Sequence, residues 1–159
     1  MKDTDMEQTV RSVIRRMTAS SVMNLAFARN LIREVEKKAQ EMGVKAVVAV
    51  SDAAGRPVAI ECMDGAYIGS FDVALNKTFT SVAFQMSTAE LGKLASPGGS
   101  IYGIQNTNDG KIVIFGGGEP LYVDDVLIGA IGVSGGTAEQ DTALGAYGKN
   151  IAKEVISWK

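Results

Sequence analysis

Apolar residues at Met6, Val10, Val13, Ile14 and Met17 follow one another at steps of four, three, one and three, which winds them onto one stripe of an α-helix. Glu7, Arg11, Arg15 and Arg16 fall on the opposite side. The pattern predicts a short amphipathic helix over 5–17, and Thr18-Ala19-Ser20-Ser21 reads as a polar linker after it. A second stripe, Leu25, Ala28, Leu31, Ile32, Val35 and Ala39, predicts a helix capped by Asn24 and stopped near Met42 by Gly43. The run 44–50 is rich in β-branched residues, and Ser51-Asp52-Ala53-Ala54-Gly55-Arg56-Pro57 is a turn-forming cluster before apolar 58–62. Together they predict a β-hairpin.

Further along, 70–86 reads as a helix with a midsection of small residues, and Ser87-Thr88-Ala89-Glu90 has the form of a capping box. Residues 96–110, with Pro97-Gly98-Gly99 and Asn106-Thr107-Asn108-Asp109-Gly110, read as loop. Residues 111–115, 119–123 and 126–134 read as three strands, the last two joined tightly through Asp124-Asp125. Thr137-Ala138-Glu139-Gln140 then opens a closing helix over 137–157. The order is helix, helix, two strands, one or two helices, three strands, helix. It predicts a mixed or antiparallel five-stranded sheet with helices on its faces rather than a doubly wound parallel one.

Composition narrows the chemistry. At 159 residues and 46% apolar content, one domain can bury a sufficient core without covalent staples. A net charge of -2 with the basic residues dispersed argues against nucleic acid. No apolar run approaches membrane length and no secretory signal is evident, so the expectation is a cytoplasmic protein with no membrane partner. Cys62 is the single cysteine and histidine is absent. This removes an intrachain disulfide, the commonest general base and the usual axial haem ligand. No hydrolytic constellation emerges, so no catalytic residue is assigned and no metal site is expected.

Three stretches in order carry a family resemblance: Val50-Ser51-Asp52-Ala53-Ala54-Gly55-Arg56-Pro57-Val58-Ala59; Met63-Asp64-Gly65-Ala66 followed by Asn76-Lys77; and the run from Gly129-Ala130-Ile131-Gly132-Val133 through Ser134-Gly135-Gly136-Thr137-Ala138-Glu139-Gln140-Asp141. Over about 22–159 the chain resembles the GlcG/HbpS-like, or haem-degrading, domains. Leu91-Gly92-Lys93-Leu94, Tyr102-Gly103-Ile104-Gln105 and 112–120 look closest to the C-terminal domain of the propanediol-utilisation adenosyltransferase PduO and its stand-alone relatives. The resemblance implies an α+β, profilin-like fold, a five-stranded antiparallel sheet sandwiched by helices. It further implies homo-oligomers and, in some members, bound haem or corrinoid. It does not imply ATP-dependent adenosyl transfer, which belongs to a separate helical domain.

Several residues are candidates for binding chemistry. Gly116, Gly117 and Gly118 could let a backbone approach a ligand or cradle an anion, though a glycine bulge is as good a reading. Ser134, Gly135 and Gly136 precede a helix N-terminus, where amide donors favour an anionic group; plain capping by Thr137, with Glu139 in the first turn, is the alternative. Lys77 sits among small residues, so it must meet a counter-charge such as Asp64, Glu119, Glu139 or Asp141, or else grip a ligand carboxylate. Met63 and Asp64, beside Cys62, bring the soft sulfurs of the core region, which could also be filler.

The resulting expectation is an accessory ligand-binding module for haem, a corrinoid or another small anionic ligand, associated with a bacterial microcompartment or with diol and cobalamin metabolism. Its cleft is bordered by Met63, Asp64, Lys77, Gly116, Gly117, Gly118, Ser134, Gly135, Gly136 and Glu139. A small-molecule enzyme using Lys77 with a carboxylate partner and a purely structural oligomer remain open. Residues 1–20 are expected to form a helical extension and linker outside a domain over 21–159, resembling the encapsulation peptides that direct proteins to a microcompartment shell or its cargo, here through 5–17.

Overall fold

Local signals in the chain set the elements of the computed structural model, which describes residues 2–20 and 22–156. Helix α1 spans Lys2–Ser20 and α2 spans Leu25–Glu41. The Asn24 side chain accepts a hydrogen bond from the Phe27 amide, and Gly43 takes the positive φ of 69° at the far end of α2. Strands β1 (Val47–Asp52) and β2 (Pro57–Cys62) form a hairpin. Its turn is held by Asp52 Oδ1, which accepts from the amides of Ala54 and Arg56. Helix α3 covers Ser70–Phe84, and α4 covers Thr88–Ala95 behind a full Ser87/Glu90 capping box. Two short 3-10 turns, Ile104–Asn106 and Asn108–Gly110, lead to β3 (Gly118–Val123), β4 (Val126–Ser134) and α5 (Ala138–Ile156). Asp124 and Asp125 both have positive φ, 47° and 64°, and make the two-residue turn between β3 and β4.

The sheet order is β2-β1-β4-β3 and all three pairings are antiparallel. Four strands, not five, are present among the described residues. The run 111–115 is not a strand because its polar groups are claimed elsewhere. Thr80 Oγ1, on α3, accepts from the Val113 amide at 3.0 Å and lies 3.3 Å from the Lys111 carbonyl, while its proton goes to the Asn76 carbonyl at 2.8 Å. The Ile114 carbonyl meanwhile lies against Gly92 of α4, where a Cβ would collide with it. The apolar content of 112–114 therefore reflects packing on helices rather than pairing at a sheet edge.

Period-two alternation divides the sheet into two unlike faces. Val48, Val50, Leu121, Ile131 and Val133 join Leu31, Ile32 and Val35 of α2 and Leu144 of α5 in the main core. The other face carries Val47, Ala49, Gly118 and Gly132 and meets α3. A Cβ on Gly132 would run into the Ala74 carbonyl oxygen of α3. That near-absence of side chains lets α3 press directly on the strands. Its inward stripe is small or polar instead of apolar: Ser70, Ala74, Lys77, Thr78 and Ser81 are all buried.

Helix α1 differs from the rest. It continues through Ser20, with the Thr18 hydroxyl donating to the Ile14 carbonyl, so the polar stretch read as a linker forms its last turn; Ser21 lies outside the described residues. Met6, Val10, Val13, Ile14 and Met17 are 48–68% exposed. No helix among the described residues is long and apolar enough to cross a membrane.

Candidate functional site

Among the described residues, Lys77 is the largest fully buried side chain, with no solvent exposure. Its ammonium donates to the Val133 carbonyl oxygen at 2.6 Å and to Asp141 Oδ2 at 2.9 Å, and the Phe115 ring centroid lies 4.9 Å away. Asp141, in the first turn of α5, uses its other oxygen to accept from the amides of Gly135 at 3.1 Å and Gly136 at 2.9 Å. Burial pushes the Lys77 pKa below its ordinary value of 10.5, and the Asp141 charge opposes that shift.

The anion site expected at Ser134, Gly135 and Gly136 thus has an occupant from the chain itself, because the loop amides and helix N-terminus hold the Asp141 carboxylate. Thr137 does cap α5: its hydroxyl accepts from the Gln140 amide while Gln140 returns a bond to the Thr137 amide. Glu139 is exposed, its carboxyl held below the ordinary value by its own backbone amide and by Thr137.

Gly116, Gly117 and Gly118 wrap this cluster and do not form an open anion cradle. At Gly117, with φ of 116°, an added Cβ would lie 2.5 Å from the Val133 carbonyl oxygen and 2.7 Å from Lys77 Nζ. The Gly117 carbonyl accepts from the Val133 amide. At Gly116 a Cβ would collide with Thr142, and at Gly118 it would lie 2.8 Å from the Lys77 carbonyl oxygen. Gly117 is a space kept empty so that the ion pair can close, and Gly116 and Gly118 let the neighbouring backbone pack against α5 and α3.

Above the cluster is a cleft of about 280 Å³ lined by Tyr67, Ser70, Val73, Phe115, Ser134–Gly136, Ala138 and Asp141. Tyr67 is 74% and Phe115 47% exposed, and the Ser134 hydroxyl donates to the Ser70 hydroxyl at 3.1 Å. Reasoning from the chain alone did not find Tyr67, Ser70 or Phe115 as site residues. The one available signal was an aromatic residue directly before three glycines.

Met63 and Asp64 do not border this cleft. They line a separate hollow of about 550 Å³ with Glu36, Gln40, Gly43, Val44, Lys45 and Cys62. The Met63 sulfur accepts from the Ala46 amide at 3.3 Å, and its side chain packs on the main core. Burial first, and the negative charge of Glu61 second, push the Glu36 carboxyl up. Cys62 is exposed and unpaired, and no cluster of three His, Cys, Asp or Glu residues that could hold a metal ion occurs among the described residues.

Comparison with known proteins identifies the family. Residues 23–149 match the family model described as haem degrading protein HbpS-like. A 15.0 kDa protein of the dhaT-dhaS intergenic region of Citrobacter freundii is 43% identical over 124 residues, 78% of this chain and 87% of that one. The corrinoid adenosyltransferase PduO of Salmonella typhimurium is 40% identical over 111 residues, 70% of this chain; the match spans 33% of PduO. Among solved structures, the PduOC:heme complex superimposes with a TM-score of 0.74 at 36% identity, covering 77% of this chain and 88% of that one. On the family match and the identity to these relatives, this chain belongs to the HbpS-like family.

Proposed function

We propose that this protein is a non-catalytic accessory module that binds haem in the cleft above Lys77 and serves propanediol or related diol metabolism. The observation that carries the reading is the cleft itself, lined by the exposed rings of Tyr67 and Phe115 together with the paired Ser70 and Ser134 hydroxyls. Flat aromatic walls suit a porphyrin face. The similarity to the PduOC:heme complex and to PduO supports the ligand class and the metabolic setting.

The cleft has one lining residue that supports the choice of that group. Its residues include no histidine, and Tyr67 supplies a phenol, a side chain able to ligate haem iron. A volume of about 280 Å³ sits at the low end for small-molecule pockets, so the cleft encloses one edge of a macrocycle. Ile68 and Phe71, neighbours of the lining residues in the chain, are 96% and 42% exposed. A second copy of the chain covering them would complete the site and make the protein a homo-oligomer. The reading of Lys77 as an enzyme's reactive amine is less well supported, since the ammonium is sealed and engaged on two sides.

Titration of purified protein with haemin and, separately, with cobalamin tests this. A shifted Soret band that saturates near one haemin per chain or per dimer is expected. A response to cobalamin alone would replace haem by a corrinoid, and no change with either would remove the tetrapyrrole reading.

A second feature bears on location. We propose that residues 1–20 are an extension outside the domain formed by 21–159, and that the exposed stripe of α1 docks on a microcompartment shell; the family match, which begins at residue 23, and the exposure of the stripe support this. A fluorescent protein fused to residues 1–20 should form puncta with a co-expressed shell. Equal, diffuse distribution of that fusion and its Val13→Glu/Ile14→Glu variant would overturn it.

A further inference from the structure

We infer that Lys77 is a covered carboxylate anchor: when the Phe115 ring swings aside, the ammonium receives a carboxylate group of the molecule in the cleft. An ammonium has three N–H donors. Two are spent on the Val133 carbonyl oxygen and Asp141 Oδ2, and among the described residues no oxygen takes the third. What lies near it is the Phe115 ring at 4.9 Å, and that ring is also a wall of the cleft. The ring is half-exposed while Lys77 is wholly buried, so Phe115 touches both the charged donor and the ligand space. Phe115 is followed directly by Gly116 and by Gly117, whose φ is 116°.

The surrounding groups favour an anion of carboxylate size once the ring has moved. The Ser134 and Ser70 hydroxyls bond to each other at the cleft floor, and a hydroxyl can rotate to donate to an incoming oxygen. Asp141 keeps its own charge satisfied through Gly135 and Gly136, so it need not release Lys77 for the third donor to act. The ligand class is therefore a molecule with an aromatic or otherwise flat body and at least one carboxylate. The inference deepens the haem reading above and rests on it, because the two propionates are haem's only carboxylates.

The test compares haemin with haemin dimethyl ester, in which both carboxylates are masked, on the full chain. A charge-assisted hydrogen bond predicts that the wild type binds haemin about tenfold more tightly than the ester. In Lys77→Met/Asp141→Asn, which removes both buried charges yet leaves a carbonyl oxygen for the Gly135 and Gly136 amides, the ratio should fall to about one. Phe115→Ala, which leaves the ion pair in place, should raise the ratio, since only haemin has to displace the ring to set a carboxylate on Lys77. Equal binding of haemin and ester by the wild type, or a preference that survives the double variant, would overturn the anchor and leave the haem reading standing. An unchanged ratio in Phe115→Ala would overturn the role of the ring as cover. If neither compound binds the wild type, the haem reading fails and the anchor fails with it.

Discussion

Replacing Asp141 by alanine removes the counter-charge of a wholly buried ammonium and, in the same step, the acceptor of two backbone amides. Breaking one side of a buried ion pair costs about 3–5 kcal/mol, because the remaining charge stays desolvated. Each orphaned amide adds about 1 kcal/mol, the low end of the usual range, since Gly135 and Gly136 are near enough to solvent for water to replace the carboxylate in part. The expected loss for Asp141→Ala is therefore about 5–7 kcal/mol, a large share of the stability of a domain this size. Lys77→Met should cost less, about 2–3 kcal/mol, because the stranded carboxylate keeps both amides and the favourable end of the α5 dipole. Combining the two changes should cost well below the sum, with a coupling of about 2 kcal/mol or more. Urea unfolding followed by far-ultraviolet circular dichroism measures all three variants. An Asp141→Ala protein within 1 kcal/mol of wild type, a Lys77→Met loss exceeding it, or simple additivity would refute the reasoning.

Because burial holds Lys77 below its ordinary pKa of 10.5, the unfolded chain binds that proton more readily. The stability linked to this group is complete above 10.5 and is lost as pH falls through the folded value. Wild-type unfolding free energy should accordingly rise relative to Lys77→Met as pH approaches 10.5, and parallel curves would contradict this. Gly132→Ala forces a methyl group against the Ala74 carbonyl and should separate α3 from β4 at a cost of about 2–3 kcal/mol, read as a lowered Tm. Ser87→Ala removes the α4 cap and should cost about 1 kcal/mol. The Ser87 hydroxyl and amide hold Glu90 below its ordinary pKa of 4.5, so this difference should be present above that pH and shrink as pH falls through the lowered folded value.

Much of the architecture could be read in the chain alone, because the features that specify it act over a few residues. Asn24 before an apolar stripe, the Ser87/Glu90 box, Asp52 in its turn, Asp124-Asp125 between two strands and Thr137/Gln140 at the last helix each meet partners within four positions along the chain. Lys77 was also legible as a residue in need of a counter-charge, since an ammonium among small residues on a packed helix has no other resolution. Which carboxylate answered it was not legible. Asp141 is 64 positions away and reaches Lys77 only because glycines on β3 and β4 let α3 and the start of α5 close over the sheet. The same closure spends the Gly135 and Gly136 amides on Asp141, places Phe115 over the ammonium and sends Met63 to the opposite face. Residues 111–115 show the limit most plainly: their β-branched run matches a strand, but Thr80 and Gly92, brought alongside by tertiary packing, take up the backbone that pairing would have needed. Short-range hydrogen bonding and apolar periodicity belong to the sequence, whereas the partner of a buried charge depends on which distant backbones can approach, and that is decided only when the layers meet.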